Sequence, residues 1–308
     1  MKRKELTVED MLKRYKRRFF ILLAVLVFFI AACSFYTYLN YDYLAFKHFI
    51  SQNYIYTDTL AALYQKELKR DVKGKYYSYF DDFVISVVTK YIREANNDRY
   101  TYLYVPEQYK KSKEVEKTDA LKSVSKALDE KTFYLNITNF STYTRDFLKS
   151  NVGQLKRYHN LIIDLRNNYG GDIDAMVAMA CMFLPRGSVI AKDQMRLFDW
   201  TYKARKQGVL YFDKIIILQN KNTASASENF IAALKDNLPN VTLIGDTTFG
   251  KGIGQFTLPL RRGFAVKATI LFWYTPKGVN IQGQGIQPDI KYTGDDIVEY
   301  AIHLLQAK

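Results

Sequence analysis

Hydrophobic and polar positions divide this chain into stretches of different rhythm. From Phe19 to Cys33 the sequence is unbroken apolar, and no charged residue appears until Asp42. An uncharged run over 19–41 has about the ~20 residues that a membrane-spanning helix needs. Residues 42–110 are rich in Tyr and Phe, and the windows 60–68 and 80–92 repeat apolar positions near the 3.6-residue period, which predicts an N-terminal helical region. Residues 111–131 alternate Lys and Glu without an apolar run, which predicts a connector, solvent-facing where it is helical.

From Thr132 to the end the rhythm changes again. Residues 133–138 alternate like a strand, 143–155 read as a helix, and 161–165 as a short buried strand. A helix is predicted from Asp174. A second buried strand covers 214–218, and it leads into a helix opened by Ser225. Strands follow at 241–244, 255–260 and 265–274, and an amphipathic helix closes the chain at 295–306. Strand and helix in alternation predict an α/β domain over 132–308 with a largely covered sheet.

Composition fits a large core, at 48% hydrophobic residues among 308. The formal charge of +14 is uneven: residues 1–18 hold eight Lys/Arg against three Asp/Glu, a basic leader of net +5. The remaining excess is spread over 66–75, 110–122 and Arg261-Arg262, with no zinc-finger or RNA-recognition signature around it, so nucleic acid is not expected as a partner. A basic leader before an apolar run predicts a leader kept in the cytoplasm, with the bulk of the protein outside it. Two anchors remain open. The run is either an uncleaved signal anchor or a lipoprotein signal, because Ile30-Ala31-Ala32-Cys33-Ser34 resembles a bacterial lipobox with Cys33 as the lipidation site. Two cysteines exclude a disulfide framework, and Cys181, in an apolar helical stretch, reads as a core residue.

The candidate chemistry lies in three short motifs. Ser225-Ala226-Ser227-Glu228 fits a capping box, the plainer reading of that tetrapeptide alone. A serine between a strand and a small-residue helix start is also well placed as a nucleophile, with the Ala226 N–H and the helix dipole facing a developing oxyanion. A run over 245–252 nearly matches a phosphate-binding loop, but Gly252 stands where that loop needs Ser or Thr, and a strand pattern follows where it needs a helix. Lys251 between two glycines instead reads as a lysine in a tight loop. Desolvation there would lower its pKa toward that of a general base. Gly170-Gly171, after a buried strand, permits the close backbone approach of an oxyanion loop or an ordinary tight turn. His48, His159 and His303 lie in no motif, and no metal-ligand spacing appears, so neither metal nor cofactor is expected.

Taken together, four ordered blocks resemble the carboxy-terminal processing (tail-specific) proteases, a family of serine peptidases. They are Leu161-Ile-Ile-Asp-Leu-Arg-Asn-Asn-Tyr-Gly-Gly171, Asn222-Thr-Ala-Ser-Ala-Ser-Glu228, Thr247-Thr-Phe-Gly-Lys-Gly-Ile-Gly-Gln255, and Tyr274-Thr-Pro-Lys-Gly-Val-Asn-Ile-Gln-Gly-Gln-Gly-Ile-Gln-Pro-Asp289. Upstream, residues 98–109 resemble the turn that the family places before its PDZ domain. The resemblance implies a crotonase- and Clp-protease-like core, no cofactor, and a serine endopeptidase with a Ser-Lys dyad acting on proteins or peptides. It makes Ser225 the nucleophile, Lys251 the base, Gln255 an orienting residue, and the N–H groups of Gly171 and Ala226 the oxyanion hole. Asp236 matches an acidic family position with a possible supporting role.

Three departures accompany it. One residue is added near Asn237-Leu-Pro-Asn240, Tyr169 stands where the family often has proline, and the span from Tyr109 to Thr132 is too short for a PDZ domain. Substrate would then be presented by residues 42–110 or by a partner protein, and an oligomer is possible. The alternative is a non-catalytic member that binds peptide or ligand.

Overall fold

A computed structural model describes residues 7–56 and 81–306. The helix expected over 60–68 lies outside the described residues. Helix α1, Val8–Leu39, takes in most of the basic leader as well as the apolar run, and every residue of it up to Leu39 is exposed or only half-buried. Thr7 caps it by accepting from the Asp10 N–H, and Glu9 and Asp10 lie at the positive end of the helix dipole. Among the described residues it is the one helix long and apolar enough to cross a membrane. Helix α2, Tyr41–Asn53, follows directly, and α3 covers Asp81–Ala95.

The strands, in chain order, are β1 Tyr102–Tyr104, β2 Val124–Ala127, β3 Thr132–Asn136, β4 Asn160–Asp164, β5 Val189–Met195, β6 Asp199–Lys203, β7 Lys214–Gln219, β8 Val241–Gly245, β9 Ile253–Pro259, β10 Ala265–Tyr274 and β11 Ile290–Lys291. Between and after them run α4 Pro106–Ala120, α5 Thr142–Leu155, α6 Ile173–Ala180, α7 Ala226–Asn237 and α8 Ile297–Gln306.

One sheet has the order β11-β8-β7-β4-β3-β2, parallel throughout except for the antiparallel edge strand β2. Its central strands are apolar at consecutive positions because both faces are covered. Leu161, Ile163, Ile215 and Ile217 pack with Leu148 of α5, Met176 of α6 and Phe230 of α7. The alternate residues Ile162, Ile216 and Leu218 pack with Ile297, Ala301 and Leu305 of α8 on the other face. The chain is an α/β fold.

The second sheet is antiparallel, with β10 at its centre, β9 along one edge, and β1 and β5 sharing the other. Its Val266 and Ala268 bury against Phe46, Phe49 and Ile50 of α2 and Ile85 and Ile92 of α3. The N-terminal helices are therefore packed on the strands that follow the candidate lysine.

Two expectations change. The 42–110 region is not all helix, since Tyr102–Tyr104 pairs with Ala265, Val266 and Lys267 of β10. In the connector expected over 111–131, α4 supplies a solvent-facing helix in the first half as expected, and the change is that β2 then pairs with β3 in register Val124 to Asn136. Edge strands tolerate the polar Ser125 and Lys126 because one side meets solvent.

Candidate active site

Strand β7 delivers the chain to Ser225 through a turn pinned from several sides. Thr223 Oγ1 donates to the Leu165 carbonyl at 2.9 Å, and the Ala224 N–H donates to the Asn168 carbonyl at 3.0 Å. Ser225 itself has φ 57° and ψ −118°. That conformation is normally left to glycine in tight turns. Strain of this kind is held in place only by well-bonded surroundings.

The 168–171 loop is bound to the same turn. Buried Asn168 donates to the Ile137 carbonyl at 2.8 Å and accepts the Gly170 N–H at 2.9 Å, and Ser227 Oγ donates to its carbonyl at 3.0 Å. A Cβ on Gly170 would lie 2.6 Å from the Ala224 oxygen and 2.9 Å from Ser225 Cβ. Gly171, at φ 147°, has still less room, with the Phe140 carbonyl in the way. Only glycine fits this approach. Among the described residues, the N–H groups of Gly171 and Ala226 have no protein acceptor.

Lys251 stands on a loop fixed from below. Gly250 has φ 82°, and its carbonyl accepts from the Gly283 N–H at 2.8 Å. The Gly252 N–H donates to Gln282 Oε1 at 2.8 Å, and the indole N–H of Trp273 donates to the Lys251 carbonyl at 2.7 Å. A strand, β9, follows the lysine, as the sequence predicts and as a phosphate-binding loop would not have.

Glu228 joins the two halves. Its carboxylate is fully buried; Oε2 accepts the backbone N–H of Ser225 at 2.7 Å and that of Lys251 at 2.9 Å. Oε1 accepts the Gly250 N–H at 2.7 Å and the Thr248 hydroxyl at 2.6 Å. Burial raises the carboxyl pKa against these four hydrogen bonds. The Glu228 half of the capping box is thus present, and it reaches beyond its own helix.

The Lys251 amine is lowered to about 8, first by desolvation and then by the positive charge of Lys267. Glu228 and Asp98 pull in the opposite direction. The Nζ atom lies 4.7 Å from the centroid of the Tyr100 ring. Among the described residues, no hydrogen bond joins it to Ser225 Oγ. Asp98, two residues before Tyr100, is buried and accepts from Tyr54 at 3.0 Å, Thr101 at 2.6 Å and Thr269 at 3.1 Å. This network holds the 98–101 turn over the lysine.

The other expected residues are differently placed. Gln255 sits on β9 opposite Thr269, and its Nε2 is buried without a hydrogen-bond partner among the described residues. Asp236 lies at the far end of α7, about 16 Å from Ser225 along the helix rise. There it forms an ion pair with Lys277 at 3.1 Å. Cys33 is an exposed free thiol within α1. Sequence reasoning gave no site role to Tyr100, Asp98 or Trp273, and treated Glu228 only as a helix cap. The one signal available for Glu228 was a lone charge in the first turns of a helix whose next charged residue is Lys235.

Three comparisons bear on this arrangement. The model of peptidase family S41 matches residues 131–292. A probable CtpA-like serine protease of Staphylococcus epidermidis is 36% identical over 165 residues, covering 51% of this chain and 32% of that protein. The chain thus spans about a third of the length of that curated relative. Among solved structures, the photosystem II D1 C-terminal processing protease aligns with a TM-score of 0.50 at 28% identity, over 57% of this chain and 47% of that one. A lipoprotein from Streptococcus agalactiae aligns with a TM-score of 0.65 at 19% identity, over 87% of this chain and 96% of that one, a likeness of fold alone.

Proposed function

The chain belongs to peptidase family S41, and from that premise we propose that it is a serine endopeptidase in which Ser225 and Lys251 form the catalytic dyad. The observation that carries this reading is the Glu228 carboxylate, whose Oε2 holds the backbones of Ser225 and Lys251 in one frame. The lysine amine, lowered to about 8, is neutral in a useful fraction at mildly alkaline pH.

In the proposed reaction, neutral Lys251 Nζ leaves the Tyr100 face and takes the proton of Ser225 Oγ as that oxygen attacks the scissile carbonyl. The oxyanion is met by the N–H groups of Gly171 and Ala226, which have no acceptor among the described residues. The lysine ammonium then protonates the departing amine. The same amine next deprotonates a water that attacks the acyl-serine, which releases the acid and restores the hydroxyl. The orphaned Gln255 amide is proposed to orient the lysine from β9, and Asp236 to support α7 from its distal end. The core is proposed to be crotonase- and Clp-protease-like.

Substrate is proposed to bind as an extended strand, by main-chain hydrogen bonds. Helix α4 and strand β2 occupy the stretch between Tyr109 and Thr132, which supports recognition without a PDZ domain. Cleavage of one peptide should then differ little between a free and an amidated C-terminus, and a large loss on amidation would contradict it. Helix α1 is proposed as the membrane anchor, with the catalytic domain outside the cytoplasm, on the strength of its length and of the basic residues before Phe19.

An acyl-serine probe tests the central reading. It should label the wild type and leave Ser225→Ala unlabelled. Equal labelling of both would remove Ser225 from the reaction. No labelling of either, with the fold intact, would favour a non-catalytic, peptide-binding member.

A further inference from the structure

The junction between α1 and the rest of the protein is built as a clamp. Asn40, between α1 and α2, is buried and donates through Nδ2 to the Tyr36 carbonyl at 2.7 Å. Asp42, fully buried, accepts the Arg261 backbone N–H at 3.2 Å and pairs with Arg261 Nε at 3.2 Å. The same guanidinium reaches back to α1: Nη1 donates to the Tyr38 carbonyl at 2.8 Å. It also stacks against the rings of Tyr38 and Tyr41, with centroids at 5.7 and 5.5 Å.

Arg261 belongs to the turn between β9 and β10, and Lys251 lies ten residues before it. An extended chain advances about 3.3–3.6 Å per residue, so the lysine stands at most about 35 Å from the clamp. A flexible tether would let the site roam over a wide range of heights. Here the last turn of the apolar helix is bonded to the turn that ends the strand following the lysine.

We propose that this clamp fixes the catalytic site at a set height above the bilayer, so that the substrates are polypeptides held in the same membrane with the scissile bond within about 35 Å of its surface. The proposal rests on the peptidase reading and on α1 as the anchor. For such substrates the effective concentration at the site falls with about the −3/2 power of spacer length once the spacer's r.m.s. length exceeds the span, which for a flexible chain and about 35 Å takes about forty residues. A freely tethered enzyme would blunt that fall.

The test uses the full chain in vesicles, with peptide substrates carried on a membrane-spanning segment and Gly/Ser spacers of about forty to about 160 residues before the cleavage site, the shortest having an r.m.s. length of about 35 Å. Cleavage by the wild type should fall about eightfold across that series. A variant with a Gly/Ser linker of about seventy residues inserted between Leu39 and Asn40 should show a fall of only about threefold. Arg261→Ala should shift the profile in the same direction. Turnover of a soluble peptide serves as the control for folding in both variants. A flat wild-type series, or a linker variant with the wild-type profile, overturns the proposal while soluble-peptide cleavage leaves the peptidase reading standing. Failure of the wild type on soluble and anchored peptide alike overturns both.

Discussion

Lys251 Nζ rests 4.7 Å from the centre of the Tyr100 ring, on a turn that Asp98 holds by accepting the Tyr100 N–H at 3.1 Å. An aromatic face favours the ammonium form, whereas desolvation and Lys267 favour the amine. The balance at about 8 gives the first prediction its sign.

If the neutral amine is the base, kcat/KM rises about tenfold per pH unit below about 8 and levels above it. Lys267→Gln removes a neighbouring positive charge, so the inflection moves to higher pH. Tyr100→Leu removes the stabilising face of the cation, so the inflection moves to lower pH. A pH–rate profile for the three proteins checks this. A wild-type rate that is level between pH 6 and 9 would rule out Lys251 as the base.

Ser225 carries its side chain in a backbone conformation that suits glycine. Ser225→Ala and Ser225→Gly should both abolish hydrolysis. Ser225→Gly should nevertheless be the more stable of the two, by about 1 kcal/mol, because alanine keeps the strain and glycine relieves it. Urea unfolding of the pair provides the comparison, and a more stable alanine variant would mean that the strain is not released at this position.

Glu228 accepts four hydrogen bonds while fully buried. Glu228→Gln places an NH2 group against N–H or hydroxyl donors. The cost should be about 2–4 kcal/mol of stability, the range for disrupting a buried polar network. Activity should fall at least 100-fold even at temperatures where the variant remains folded, since the frame between Ser225 and Lys251 loosens. Near-wild-type turnover in a folded Gln variant would show that the frame is not required.

Asp193 is buried between Trp200 of β6 and Trp273 of β10, and desolvation raises its carboxyl to about 6 against a hydrogen bond from Tyr202. A folded pKa above the unfolded value means that its contribution to stability is present in full below about pH 4. It is lost as pH rises through about 6. Asp193→Asn should therefore stabilise the protein at pH 7 by about 1–3 kcal/mol and change little at pH 4. Thermal unfolding at the two pH values decides between this and a carboxylate needed in its charged form.

Much of the parallel sheet could be read from the chain, because central strands covered on both faces write themselves as runs such as Ile215-Ile216-Ile217-Leu218. The Ser225 and Lys251 motifs were legible for a similar reason: the glycines and small residues that permit tight backbone approach are local in sequence. Strands β5 and β6 were not legible. They form an antiparallel pair in which Lys192, Asp193 and Gln194 break the apolar alternation of β5, while β6 is short and largely exposed. Nor could spacing reveal that Tyr100 meets Lys251, since the contact spans 151 positions and is made by the fold alone. Spacing likewise could not reveal that Asp236 pairs with Lys277 at the distal end of its helix.

The Trp273 indole has a use of its own. The chain has two tryptophans; Trp273 is buried and bonded to the Lys251 carbonyl, while Trp200 stands exposed on the β5–β6 hairpin. The protein thus carries an intrinsic optical probe of the lysine loop, whose emission should lie to the blue of that of Trp200 because Trp273 is buried. A soluble quencher silences the other indole first. Movements of that loop on ligand binding can be followed by fluorescence in the unlabelled protein, with Trp200 as the internal reference.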